Sequence, residues 1–132
     1  MGLIVLDSSI VIALLDPKDL HHEKCFSEYQ NAKREENATF FISTISLAES
    51  LVGAIKISYE FALNIFAKIS EEIGSLIEFK SETAWLTASI RNSFAIGFAD
   101  AAIIATASEM KAELWSCDKR MIRKYRKVRY LG

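Results

Sequence analysis

The feature that most constrains this chain is a set of very short apolar-rich runs, each followed by a longer segment with helical spacing. Leu3–Leu6, Thr39–Ile42, Leu76–Phe79 and Glu113–Ser116 are each only four residues long. Runs this brief read as strands, and the wholly apolar Leu3–Leu6, followed by the polar Asp7-Ser8-Ser9, suits a strand covered on both faces of a parallel sheet. The intervening segments predict helices over Ser8–Leu15, Leu20–Glu36, Ser46–Ile57, Tyr59–Ile73, Glu82–Ser93 and Phe98–Lys111, with Gly74 as one stop and Asp16-Pro17 as another. A short helix from Lys119 to Tyr125 and an edge strand at Val128–Tyr130 follow. Strands alternating with helices predict an α/β fold with a mainly parallel four- to five-stranded sheet flanked by helices on both faces.

The chain has 132 residues, of which 51% are hydrophobic, and it shows no repeat and no linker. A single domain over 1–132 is therefore expected, large enough for a substantial core and too small for two. The apolar runs are cut by Asp7 and Asp16, well short of the roughly 18 residues of a membrane span, so no membrane partner is expected. The two cysteines, Cys25 and Cys117, lie far apart behind a start with no signal-peptide character, which points to a cytoplasmic protein without disulfides.

Net charge is −1, but it is unevenly spread. From Lys119 onward there are seven basic residues and no acid, whereas residues 1–118 hold nine basic against 17 acidic residues. A solvated helix face is the ordinary explanation for such a run, and a local anionic partner is the functional one. Met121, Ile122 and Tyr125 are expected to anchor this segment, leaving Arg120, Arg123, Lys124 and Lys127 outward to meet the phosphates or other anionic groups of such a partner.

Four acids stand where ligands gather in open parallel sheets, outside the carboxyl ends of the strands. Asp7 and Asp118 follow strand ends, while Glu49 and Asp100 fall in the first turns of predicted helices. Each has a structural use as well. Ser46-Leu47-Ala48-Glu49 matches a capping box, and Asp118 and Asp100 suit helix starts. Asp7 has less need of that role, because Ser8 and Ser9 are available as caps. Brought together, four carboxylates repel one another and lose hydration, a conflict that a hard divalent cation relieves. The chemistry that follows is metal-assisted phosphodiester cleavage.

The segments Leu6-Asp7-Ser8-Ser9, Ser46-Leu47-Ala48-Glu49, Ala99-Asp100-Ala101-Ala102-Ile103-Ile104-Ala105-Thr106-Ala107 and Ser116-Cys117-Asp118 resemble, in order and spacing, the acidic motifs of PIN-domain ribonucleases. Size and order are most similar to VapC-like toxins of toxin–antitoxin pairs. The resemblance implies an Mg²⁺- or Mn²⁺-dependent endoribonuclease with Asp7, Glu49, Asp100 and Asp118 as catalytic and metal-binding groups, and Ser8, Ser9 and Ser116 as supporting polar groups. It also implies a small antitoxin partner and a homodimer. Where the family often has Thr, Ser116 keeps the hydroxyl; where it often has an acid and an aromatic after the last Asp, this chain has Arg120 and Met121. The alternative is a PIN-fold scaffold that binds RNA or protein with little turnover.

Other residues point elsewhere or nowhere. His21 and His22 are adjacent, so on a helix they diverge by about 100° and suit a surface better than a shared metal. Cys25 and Cys117 read as small buried hydrophobes, and acid neighbours disfavour a Cys117 thiolate. Trp85 and Trp115 are expected in the core. No nucleophile elbow, phosphate-cradling glycine loop or dinucleotide fingerprint is present.

Overall fold

A computed structural model describes residues 2–132. Five strands, β1 (Leu3–Leu6), β2 (Thr39–Ser43), β3 (Ser75–Ile77), β4 (Glu113–Ser116) and β5 (Val128–Tyr130), form one parallel sheet in the order β3-β2-β1-β4-β5. Six helices connect them: α1 (Ser8–Leu15), α2 (His22–Glu35), α3 (Thr44–Ile57), α4 (Tyr59–Lys68), α5 (Ser81–Ser93) and α6 (Phe98–Met110). Among the described residues no helix is long and apolar enough to cross a membrane.

Side chains alternate along a strand, so the central strand feeds two cores. Ile4 and Leu6 pack with Ile10, Leu14, Tyr29 and Trp115 on one face, whereas Val5 packs with Ile103, Ile104, Leu114 and Met121 on the other. Both faces are thereby covered, which is why β1 reads as an unbroken apolar run.

Several boundaries differ from the sequence reading for local reasons. Helix α2 starts at His22 rather than Leu20, because Asp16 and Asp19 hold two successive turns by accepting from the backbone N–H groups of Lys18 and His21, both at 2.9 Å. Strand β3 ends at Ile77, since its partner β2 stops at Ser43, leaving Glu78 and Phe79 nothing to pair with. The helix predicted to run to Ile73 is α-helical only to Lys68 and closes with a π-helical turn, Ile69–Ile73. Tyr29 donates to the exposed carbonyl of Ile73 at 2.6 Å and stabilises that ending. At Gly74 a Cβ would stand 2.8 Å from the Phe40 carbonyl oxygen, so only glycine lets the chain pass β2 this closely.

Trp115 is fully buried, but Trp85 is 80% exposed, contrary to expectation. On α5 the inward positions are Thr83 and Thr87, made tolerable in the interior by hydrogen bonds from Thr83 to Glu109 at 2.7 Å and from Thr87 to the Thr83 carbonyl at 2.7 Å. Trp85 lies between them on the helix and so faces outward. In the basic segment a single 3₁₀ turn, Lys119–Arg123, replaces the longer helix. Met121 is buried and Tyr125 donates to the Ala112 carbonyl at 2.6 Å, but Ile122 is exposed and anchors nothing.

Candidate active site

All four acids reach the carboxyl edge of the sheet. Asp7 follows β1, and Asp118 stands two residues beyond β4. Glu49 lies on α3, which begins directly after β2, and Asp100 lies in the first turn of α6. Because α6 leads into the amino end of β4, its own N-terminus must sit at the opposite edge, beside the other acids.

The fold employs only two of the four. Asp7, nearly fully buried, is the N-cap of α1: its Oδ1 accepts from the Ser9 N–H at 2.7 Å, while its Oδ2 accepts from the Ser116 hydroxyl at 2.6 Å. The availability of Ser8 and Ser9 thus did not spare Asp7 the capping role. Asp118 caps the 3₁₀ turn by accepting from the Arg120 N–H at 2.9 Å, and the Arg120 guanidinium grips the same carboxylate at 2.7 and 3.1 Å. That grip holds the Asp118 carboxyl below the ordinary carboxylate range.

Glu49 and Asp100 have no such work. The cap of α3 is Ser43, whose hydroxyl accepts from the Ile45 N–H at 3.1 Å, so Ser46 and Glu49 are inside the helix and form no capping box. The cap of α6 is Gly97, and the Asp100 carboxylate takes part in no hydrogen bond among the described residues. Burial, followed by the nearby charges of Asp7 and Asp118, raises the proton affinity of Asp100. Burial also raises that of Glu49, with Asp7 and Asp100 adding to the shift and the Ser8 hydroxyl opposing it. The four acids therefore form one electrostatic neighbourhood.

Among the described residues no three His, Cys, Asp or Glu side chains converge closely enough to hold a metal ion by themselves. In kind, the donors fit a hard divalent cation: carboxylate and hydroxyl oxygens without imidazole or thiolate. Mg²⁺ needs only one or two carboxylates, completing its shell with water and phosphate. The fully buried Ser46 hydroxyl has no partner and lies one turn before Glu49 on the same helical face, a further polar atom left over by the fold.

Of the three serines, Ser9 and Ser116 make hydrogen bonds that join the strands at this edge. Ser9 Oγ accepts from the Cys117 N–H at 3.0 Å, and Ser116 Oγ accepts from the Asp118 N–H at 2.9 Å, so β1 and β4 are tied together at the edge. Ser8 Oγ reaches Asp7 Oδ1 only at 3.5 Å. The basic residues divide. Arg120 pairs with Asp118, Arg123 and Lys124 line a shallow cavity beside the 3₁₀ turn, and Arg129 is committed to Glu28 and the Trp115 ring. Lys127 does not join them. It precedes β5 and lines a cleft with Gly2, Leu3 and Lys111 at the amino edge, across the sheet from the acids.

Sequence reasoning had no signal for one contact. Cys25 and Cys117 bring their thiols to 3.7 Å, both free. Burial, with the neighbouring Cys117 next in effect, pushes the Cys25 thiol up to about 12. A second feature is a groove of about 590 Å³ between α1, α3 and α4, lined by Ile12, Leu15, Ile57, Phe61 and Ile65, with Glu49 on its wall.

The family model for the PIN domain matches residues 4–127. The chain belongs to the PIN-domain family. Nothing matches among curated protein sequences. Among solved structures, this PIN domain is similar to VapBC2 from Rickettsia felis bound to a DNA fragment of its promoter, with a TM-score of 0.79, 17% identity and coverage of 98% and 99% of the two chains. It is also similar to VapBC-1 from nontypeable Haemophilus influenzae, with a TM-score of 0.76, 17% identity and 98% of each chain. A third is Mycobacterium tuberculosis VapC20, a sarcin–ricin loop cleaving toxin, with a TM-score of 0.70, 15% identity and coverage of 91% and 93%. At these identities the likeness is one of fold, and the PIN domain here is VapC-like in architecture.

Proposed function

We propose that this PIN domain is a divalent-metal-dependent endoribonuclease, the toxin of a toxin–antitoxin pair. The observation that carries the reading is that Glu49 and Asp100 serve no cap, yet stand with Asp7 and Asp118 at one sheet edge. Half-buried acids kept near like charges cost stability unless they are used. Asp7, Asp100 and Glu49 would hold Mg²⁺ or Mn²⁺, with Asp118 beside them. Bound there, the cation supplies Lewis acidity toward a phosphate oxygen and acidifies water. The protein's own part is to fix Asp7 through Ser9 and Ser116, and to keep Glu49 out of any helix cap, so that a carboxylate oxygen not engaged by the cation can accept a proton from the attacking water. Arg120, Arg123 and Lys124 meet the RNA backbone and offset its repulsion from the acidic body.

The groove beside Glu49 suits an apolar helical segment of an antitoxin, which would cover the acid edge. The exposed Val52, Ile55, Tyr59 and Leu63 of α3 and α4 offer a face for a homodimer. The structures it resembles are described as VapBC and toxin–antitoxin complexes, which supports a partner of this kind. The deciding experiment incubates purified protein with structured and single-stranded RNAs in Mg²⁺, Mn²⁺ or chelator. Cleavage should require the cation and vanish in Asp100→Asn. RNA binding without cleavage in either metal would favour the scaffold reading.

A further inference from the structure

A cavity of about 470 Å³ lies between the outer face of α5 and the start of α6, and nothing in the proposed reaction uses it. Its mouth is aromatic. Phe98, the first residue of α6 and in the same turn as Asp100, is 50% exposed, and Phe79 meets it edge to face at 5.8 Å. Phe79 is fixed in turn by its N–H, which donates at 3.2 Å to the hydroxyl of Thr44 at the start of α3. On its α5 side, Ala84 and Ala88 present only methyl groups beside Thr87, which leaves room next to the rings.

The rest of the lining is polar and cationic. Asn92 brings an amide that both donates and accepts. Arg91 uses only its Nε, toward the Ile96 carbonyl at 3.2 Å, out of five N–H donors. Lys124 stands over the Phe94 ring at 5.9 Å, so the basic segment touches the loop that joins α5 to α6. A flat apolar mouth that begins in the same helical turn as Asp100, an amide edge and cations match one chemistry: the flat, hydrogen-bonding, apolar-faced side group of a polyanion.

We infer that this cavity receives an unpaired base of the RNA, stacked on Phe98, with the phosphate of that nucleotide held by Arg91 and Lys124. The base lies next to the phosphate presented to Asp100, so the cavity makes the enzyme select single-stranded sites. The subsite presupposes the ribonuclease reading and assigns to Phe98 a specificity role that the four acids do not supply.

The test measures binding in Ca²⁺, with the RNA checked for integrity, to the ten-nucleotide probes rA10 and rU10 and to a sugar–phosphate ten-mer of equal charge without bases. Wild type should bind at least one base-bearing probe about 5- to 150-fold more tightly than the abasic strand, the range for a single base–aromatic stack. Phe98→Leu, which keeps an apolar side chain but no ring, should abolish most of that preference, and Phe98→Tyr should restore it. Ala88→Leu, at an exposed helix position, should abolish it too by filling the cavity, which covers the case of Phe98→Leu failing to fold. The loss should be the same at low and high salt, unlike that caused by Lys124→Gln. Equal binding of abasic and base-bearing strands by wild type, or an undiminished preference in folded Phe98→Leu or Ala88→Leu, would overturn the subsite and leave the ribonuclease intact. A wild-type protein that neither binds nor cuts RNA in Mg²⁺ or Mn²⁺ would overturn both.

Discussion

The Ser116 hydroxyl donates to Asp7 at 2.6 Å across 109 positions of sequence, and the same oxygen accepts from the Asp118 N–H. One serine thus orients an acid on β1 and fixes the backbone that carries another. Ser116→Ala leaves a buried carboxylate oxygen and a backbone N–H without partners, so it should destabilise the fold by about 1–3 kcal/mol. Chemical denaturation would show this as a lower midpoint with an unchanged slope.

Two acids with the same proposed role should respond oppositely in the fold. Asp7→Ala removes a helix cap and strands Ser116, at a cost of about 2 kcal/mol or more. Asp100→Asn breaks no hydrogen bond and removes a repelled charge, so metal-free stability should hold or rise slightly. RNA cleavage should disappear in both. Thermal melts in chelator, paired with cleavage assays, separate the outcomes.

Metal and pH should act through the same groups. Asp100 and Glu49 bind their protons more tightly in the folded chain than at the ordinary values of 3.8 and 4.5. Such groups contribute stability below their unfolded pKa, and the contribution is lost as pH rises through the higher folded value. Relative to Asp100→Asn/Glu49→Gln, metal-free wild type should therefore lose a small amount of stability from about pH 4 toward neutral, because both carboxyls are only partly buried and solvent screens the effect. Mg²⁺ at neutral pH should raise the wild-type melting temperature and leave the double variant unmoved.

Salt should distinguish the basic residues by position. Arg123→Gln and Lys124→Gln should each lower the slope of log affinity for single-stranded RNA against log salt by about 0.7. Lys127→Gln should not change it, because that side chain is at the far edge of the sheet. Anisotropy titrations over a salt series would reveal the contrast.

The thiols should be slow. Cys25 is fully buried with its thiol pushed up to about 12, so aromatic disulfide reagents should not modify it in the native protein and should do so rapidly in denaturant. Rapid native modification of both cysteines would show that α2 opens readily.

Strand β1 stands where the sequence put it, because a wholly apolar run between Gly2 and Asp7 leaves little choice of ends, and β4 and β5 also keep their expected bounds. The start of α3 was not legible. Ser43 and Ser46 both suit a cap, and the matter is settled by how far β2 pairs with β3. The serines after Asp7 suggest less need for it to cap, yet a carboxylate offers two acceptor atoms and here uses both. Trp85 was misplaced because two buried threonines occupy the inward face of α5, and their hydrogen bonds are invisible in one dimension. The Cys25–Cys117 contact and the separation of Lys127 from its neighbours depend on which strand lies beside which, information that periodicity does not carry.

The sheet order has a consequence in time. Because β1 is flanked by β2 and β4, the first strand made waits for the penultimate one, and its acid acquires the Ser116 hydrogen bond only when residues 113–116 dock. During synthesis, a nascent chain that has passed residue 100 but not reached residue 113 carries Asp7, Glu49 and Asp100 without the strand that completes their edge. The hydrogen bond that joins β1 to β4 at the acid edge therefore forms only after residues 113–116 have been made and docked.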